Sequence, residues 1–367
     1  MENAGAGSGR HVIDLARGLL ERGNDVHLIY SRSRVEQWFA NAARDSVGLR
    51  SHCIEMVRGP RPRDLKALAQ IHHYIRAQGT FDVIHGHSSK GGALARIAGV
   101  LTEAARVYTP HAFFTLEPEL STSARWFYAR VERLLSTLAH GIICVSETER
   151  RHALSLGIPA HKLTVVQNGL SPLPDPDRDA ARRQLGLCDR QICIGFVGRL
   201  APQKSVGRLL AAFAHIAGNN PLVRLAIVGA GQERAQLRQS ARQLDVKDKV
   251  IWTGEADGPA LMAGFDIFVL PSRYEAFPYV LLEAAARGLP LVATRVGGAE
   301  EVIQDDVNGY IVDDEEQLSS RLLQLIRDPD RRHAMGHASL DRATAFSVDR
   351  MVAETVTLYR TLVEQAR

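Results

Sequence analysis

Residues 271–290 read PSRYEAFPYVLLEAAARGLP. This order of residue types predicts a strand end, a loop, a helix and a second loop. Pro278 suits the first helical position, where a missing N–H costs nothing. Val280, Leu281, Ala284 and Ala285 supply an apolar face, and Gly288 with Pro290 stops the helix. Glu275 then lies in the loop, and Glu283 about a turn and a half into the helix. Both carboxylates can face one ligand lying across the helix N-terminus, where free N–H groups and the macrodipole favour a phosphate. A surface loop with a charged cap explains the stretch equally well, so its surroundings have to decide.

Those surroundings alternate strand and helix. A strand at 266–270 precedes the stretch. Strand 290–293, the loop Gly297-Gly298, helix 299–304, strand 309–312 and two C-terminal helices follow it. Upstream, strand 191–197 leads to the loop GRLAPQKS and helix 205–217. Strand 222–228, helix 232–244, strand 250–252 and helix 257–263 come next. The first half repeats the alternation, with strands at 25–30, 50–57, 81–87, 105–109, 141–146 and 163–167. Its helices fall at 33–46, 64–78, 89–101, 122–139 and 147–156. Between the halves, Pro172, Pro174 and Pro176 mark a linker and hinge. The expectation is an α/β chain of two Rossmann-like domains, each a doubly wound parallel sheet. Residues 1–170 form the first, 171–190 the linker and 191–349 the second, with a C-terminal helix at about 350–367 returning to the first. Ligands of such sheets sit beyond the carboxyl ends of the strands, so two facing domains would share one cleft.

The amino terminus departs from this order. GAGSGRHVIDLARGLLERGNDVHLIYS reads as a glycine loop (Gly5, Gly7, Gly9), a helix, a turn at Gly23-Asn24 and a strand. A glycine loop opening a helix normally follows a strand. Here the first strand of the domain is missing: either it lies upstream of Met1, or the sheet has lost it and leaves backbone groups unpaired.

Composition narrows the function classes. The chain has 367 residues, 45% hydrophobic and 23% charged, which is ordinary globular composition. It holds no run of about 18 apolar residues to span a membrane, and MENAGAGSGR has no apolar core for a signal peptide. The four cysteines form no CxxC pair and read as reduced thiols of a cytoplasmic protein. Residues 1–170 carry 21 Lys+Arg against 15 Asp+Glu, the remainder 24 against 26. The basic first half suggests an anionic partner such as a phospholipid surface or phosphorylated substrate. No nucleic-acid module is present.

Four constellations can carry chemistry. Gly198, Arg199 and Lys204 follow a strand, where a glycine allows close backbone approach and two cations can hold a diphosphate. Glu275 and Glu283 can accept bonds from sugar hydroxyls. As a general acid and nucleophile they would imply hydrolysis, but that needs both to flank one bond. His85 and His87 form an HxH pair near Lys90 and His111, with no third metal ligand obvious in sequence. RWFYARVERLL, 125–135, is a basic, aromatic helix. Its aromatics either pack on the sheet or, with the basic segment 58–66, meet a membrane interface.

In sequence order, FVGRLAPQKS, EAFPYVLLEA with its E-x7-E pair, and LPLVATRVGGAEEVIQDDVNGYIV resemble the family 4 glycosyltransferases of GT-B fold. Asn168-Gly169 and HVIDLARGLLERGNDVHLI match as well, so the resemblance covers nearly the whole chain. It implies retaining, metal-independent transfer of a hexose from a nucleoside-diphosphate sugar, with no cofactor. Matched residue by residue, Arg199 and Lys204 would hold the donor diphosphate, Glu275 the hexose hydroxyls and Glu283 the ribose. The backbone around Phe277, Pro278, Tyr279 and Val280 would add phosphate contacts. His111 would lie near the donor sugar, and the glycine loop Gly5 to Gly9 would close over it. Ala276 and Ser205 stand where the family usually has glycine.

The resulting expectation is a transferase using a UDP-sugar and a lipid-linked or polysaccharide acceptor in envelope or exopolysaccharide assembly. It would be cytoplasmic, peripheral on the inner membrane face. A non-catalytic sugar-nucleotide-binding subunit and a GT-B sugar-nucleotide epimerase are the alternatives.

Overall fold

The computed structural model describes Met1, residues 5–33, 35–56, Gly59 and 61–366. Val57, at the end of the strand expected over 50–57, and Arg58 and Pro60 of the basic segment lie outside the described residues. The chain forms two compact units: Met1–Ser171 with Ser347–Arg367, and Pro172–Phe346.

Unit 1 opens with α1 (Ala6–Glu21), β1 (His27–Ser31), α2 (Gln37–Asp45), β2 (Arg50–Ile54) and α3 (Asp64–Gln78). It continues through β3 (Val83–His87), α4 (Ser89–Ala98), β4 (Ala105–Thr109), α5 (Thr122–Ser136), β5 (Gly141–Cys144), α6 (Glu147–Ser155) and β6 (Leu163–Val165). All its strand pairs are parallel, but they form two sheets, β1-β2 and β3-β4-β5-β6. Among the described residues no strand joins β1 to β3, as the strandless start of the sequence foretold.

The glycine loop is shorter than expected. Gly5 is the extended N-cap of α1, and its carbonyl accepts from the Gly9 N–H, so Gly7 and Gly9 already lie in the first helical turn. Packing overrides the weak helix propensity of glycine here: further along α1, Val12, Ile13, Leu15 and Ala16 are buried.

Unit 2 begins with α7 (Arg178–Leu185), inside the stretch read as a linker. The prolines hid this helix. It is part of unit 2 because Arg182, buried, donates to the carbonyls of Gly264, Cys188 and Gln191. Then come β7 (Ile192–Val197), α8 (Val206–Ala217), β8 (Val223–Val228), α9 (Arg234–Gln243), β9 (Val250–Gly254) and α10 (Gly258–Met262). The unit closes with β10 (Ile267–Leu270), α11 (Tyr279–Ala286), β11 (Leu291–Thr294), α12 (Ala299–Val302), β12 (Gly309–Val312), α13 (Glu315–Arg327) and α14 (Pro329–Ala343). The parallel sheet has the order β12-β11-β10-β7-β8-β9. Its strands are near-continuous apolar runs because helices cover both faces. Phe213 of α8 and Leu322 of α13 are fully enclosed in its core, each contributing about 1.5–3 kcal/mol by burial.

The C-terminal run holds three helices where two were expected, and the last, α15 (Val348–Ala366), belongs to unit 1. It packs on α1 at Gly18, where a Cβ would lie 2.6 Å from Val352. Leu170 bridges Ser347, so the chain leaves and re-enters unit 1 at neighbouring points.

Candidate active site

The order of the unit 2 sheet determines where a ligand can bind. From β7 the chain steps outward to β8 and β9, then returns to place β10 on the other flank of β7. Loops leaving β7 and β10 therefore diverge, and the crevice between their carboxyl ends is where open α/β sheets bind ligands. The β7 loop carries Gly198, Arg199 and Lys204, and the β10 loop carries Glu275.

These loops are bonded together. Lys204 Nζ donates to Glu275 Oε1 at 2.5 Å, with both side chains largely buried. Ser272 Oγ donates to the same oxygen at 2.7 Å. Gln203 Nε2 donates to the Tyr274 carbonyl, and the Arg273 N–H to the Gln203 carbonyl. Arg199 is exposed, and among the described residues its guanidinium has no ion-pair or hydrogen-bond partner.

A third loop closes on the second. A Cβ at Gly297 would lie 2.4 Å from the Glu275 carbonyl oxygen, and one at Gly298 2.7 Å from the Phe277 ring. Thr294 Oγ1 donates to the Ser272 carbonyl at 2.5 Å. Glycines at 297 and 298 thus let the β11 loop lie against the backbone carrying Glu275.

Pro278 is not the first helical residue; it is the extended N-cap of α11, with φ −77° and ψ 117°. Tyr279 is first and Glu283 fifth, 6% exposed. The helix is enclosed on most sides: Tyr279, Leu281, Leu282, Ala284 and Ala285 are buried, whereas Val280, assigned to the apolar face, is only half-buried. Ser205, where a glycine was expected, has a left-handed backbone (φ 48°, ψ 43°). The physical preference for glycine there is therefore steric.

Unit 1 holds a separate polar cluster. His111 and Ala112 both have positive φ, 53° and 78°. The turn is pinned by Glu149 of α6, which accepts from the Ala112 N–H at 2.7 Å and the Val145 N–H at 2.8 Å. His87 Nδ1 lies 3.1 Å from His111 Nε2. His85 bonds Thr109 at 2.8 Å and Tyr359 at 2.5 Å. Lys90 is paired with Asp64 at 2.7 Å.

Of the HxH pair only His87 joins the group that the fold assembles; His111 and, from α1, His11 complete it. The ring nitrogens of His11, His87 and His111 lie within 4.8 Å of one another. Among the described residues these three imidazoles are the ones grouped closely enough to hold a metal. His11 Nδ1 pairs with Asn168 Oδ1 at 3.0 Å, leaving Nε2 buried without a partner among the described residues. Burial pushes His11 down to about 4 and holds His85, His87 and His111 well below the usual imidazole range. All four are neutral at pH 7.

Sequence reasoning missed Ser272, Gln203 and Glu149. For Ser272 and Glu149 a signal existed: Ser272 stands three residues before Glu275, and Ser146 three before Glu149. Serine three residues before glutamate commonly marks a helix start, and at α6 Ser146 Oγ accepts from the Glu149 N–H at 3.0 Å. Gln203 has no such signature.

Two family models match the chain. Residues 6–169 match the glycosyl transferase 4-like domain and residues 177–342 the glycosyl transferases group 1. Together they take in nearly all of the chain. It belongs to the family 4 glycosyltransferases. This glycosyltransferase is an enzyme of the hexosyltransferase class with the GT-B fold. It is similar to an uncharacterized glycosyltransferase of Methanocaldococcus jannaschii, 32% identical over 236 residues, 61% of this chain and 60% of the relative. A UDP-Gal:alpha-D-GlcNAc-diphosphoundecaprenol alpha-1,3-galactosyltransferase of Escherichia coli is 28% identical over 262 residues, 68% of this chain and 67% of the relative. Among solved structures, Anabaena HepE in complex with UDP and glucose superposes with a TM-score of 0.83 at 23% identity, covering 98% of this chain and 97% of that one.

Proposed function

We propose that this glycosyltransferase moves a hexose from UDP-sugar to a lipid-linked or polysaccharide acceptor, with retention and without a metal. The observation that carries the reading is the Lys204–Glu275 pair at the point where the strand order reverses. A cation and a carboxylate held together there offer a diphosphate its counter-charge and a sugar its hydroxyl acceptor. Arg199 and Lys204 take the diphosphate; Glu275, released from Lys204, accepts hydroxyls of the hexose, and Glu283 takes the ribose. Backbone N–H groups where α11 begins, around Phe277 to Val280, add charge stabilisation as the leaving phosphate becomes more anionic. That phosphate takes the acceptor proton, so no separate base is required. His111, kept neutral, retains the donor-sugar role that the resemblance assigns to it. HepE, solved in complex with UDP and glucose, supports the donor class, and the diphosphoundecaprenol named in the E. coli relative's activity supports a lipid-borne acceptor.

Membrane contact is supported by α5. No helix among the described residues is long and apolar enough to cross a membrane. Yet Trp126, Phe127 and Leu134 are 61%, 53% and 69% exposed, with Arg130 stacked on Trp126. A basic, aromatic surface of this kind seats at a headgroup interface.

The test is Glu275→Ala, assayed for nucleoside diphosphate release from a panel of nucleotide sugars with and without EDTA. Transfer should fall at least ~100-fold while UDP affinity stays within a few-fold, and EDTA should change nothing. Wild-type turnover in the variant would remove Glu275 from the donor sugar. A loss with EDTA would instead direct attention to the three histidines. Nucleotide binding by the wild type without any transfer would favour the non-catalytic subunit.

A further inference from the structure

Three imidazoles from three elements of unit 1 converge: His11 from α1, His87 from the carboxyl end of β3 and His111 from the turn after β4. The His11 ring stands edge-on to that of His111, with centroids 4.6 Å apart, and the His87 and His111 rings are stacked at 5.4 Å. His11 and His87 are buried; His111 is half-buried, so solvent reaches the group there.

His85 alongside has the bonding of a packed core histidine. Its Nδ1 bonds Tyr359 Oη and its Nε2 bonds Thr109 Oγ1, so both nitrogens are engaged. His11 differs. Asn168 Oδ1 can only accept, so His11 Nδ1 carries the ring proton and donates to it at 3.0 Å. The lone pair of that ring is thereby fixed on Nε2, which is buried and meets no donor among the described residues. A buried acceptor left unpaired is costly, and a cation would satisfy it. The Asn168 bond is also the support that metal-bound imidazoles ordinarily have, an oxygen on the far N–H that sets tautomer and aim.

The spacing suits a transition metal. Zinc binds imidazole nitrogens at about 2.0–2.1 Å, which sets tetrahedral neighbours about 3.4 Å apart. His87 Nδ1 and His111 Nε2 are 3.1 Å apart, and the three ligand nitrogens lie within 4.8 Å of one another. Side-chain movement of roughly an ångström closes the remaining gap. A set made of imidazoles alone favours zinc over magnesium or calcium, which take oxygen ligands.

We propose that His11 Nε2, His87 Nδ1 and His111 Nε2 form a Zn²⁺ site, with water in the fourth position. In the metal-free protein one ring of the His87–His111 pair donates its N–H to the other. The ion takes the place of that proton, which moves to the far nitrogen of the same ring, so no net proton is released. The ion serves no step of transfer. Bound, it occupies the His111 nitrogen and inhibits, a consequence that rests on the donor-sugar role proposed above for His111.

The test titrates the metal-free full chain with Co²⁺ and then Zn²⁺. One equivalent of Co²⁺ should give the strong visible absorption of a four-coordinate ion, and one equivalent of Zn²⁺ should erase it. His111→Ala should weaken Zn²⁺ binding at least ~100-fold and Asn168→Ala about 10–100-fold, while Asn168→Asp, which keeps the acceptor, should retain it. His333→Ala, at an exposed histidine of unit 2, should bind as the wild type does. The wild-type spectrum depends on no variant folding: absence of the four-coordinate band at one equivalent overturns the site, as does undiminished binding in His111→Ala. One equivalent of Zn²⁺ should also stop nucleoside diphosphate release, and EDTA should restore it. Binding at the three histidines with unchanged turnover would keep the site and remove His111 from the donor sugar.

Discussion

At the scale of single residues, backbone conformation separates tolerated departures from costly ones. Ser205 is held in the left-handed region with no capping bond from its side chain. Ser205→Gly should therefore raise stability by about 0.5–1 kcal/mol in urea unfolding, less the entropy glycine adds to the unfolded chain; a destabilised variant would mean the serine hydroxyl supports the loop. Ala276, the other departure, has no positive φ. Sequence comparison flags both alike, because the identity of a residue does not disclose its φ. The same limit hid the third histidine: His11 is far in the chain from His87 and His111, and only the packing of α1 brings it to them.

At the scale of elements, α6 does more than fill the alternation. Its Glu149 holds two backbone donors from two loops, one of them the His111 turn. Glu149→Ala strands both and should cost about 2–4 kcal/mol by chemical denaturation, while Glu149→Gln, retaining one acceptor, should cost less. Equal losses for both variants would show that the charge, not the geometry, holds the turn. Strand and helix existence was legible nearly everywhere from apolar runs and glycine or proline punctuation. What was not legible follows one rule: composition was read locally where packing decided. Prolines disguised α7 as linker, glycines disguised the first turn of α1 as loop, and the periodicity of α5 could not tell which side carried Trp126 and Phe127.

At the scale of the whole molecule, the two units differ in how they meet acid. Unit 1 buries His11, His85, His87 and His111 as neutral rings, all pushed below the ordinary imidazole value of 6.5. A lowered native pKa means the unfolded chain takes protons first, so stability is complete above about pH 6.5 and falls as pH drops toward 4. His11 alone, lowered to about 4, accounts for roughly 3 kcal/mol over that window. Calorimetry from pH 7 to pH 4.5 should show the unit 1 transition moving to lower temperature ahead of unit 2; a single transition shifting as one would mean the units unfold together. The two-unit plan itself was readable in the sequence. The seam at which the chain returns was not, since nothing local shows Ser347 lying beside Leu170. That adjacency makes unit 2 a cassette spliced into unit 1: its entry and exit seams nearly touch. Joining Ser171 directly to Ser347 would leave unit 1 an unbroken thread, so unit 2 can be exchanged between relatives without re-routing its host.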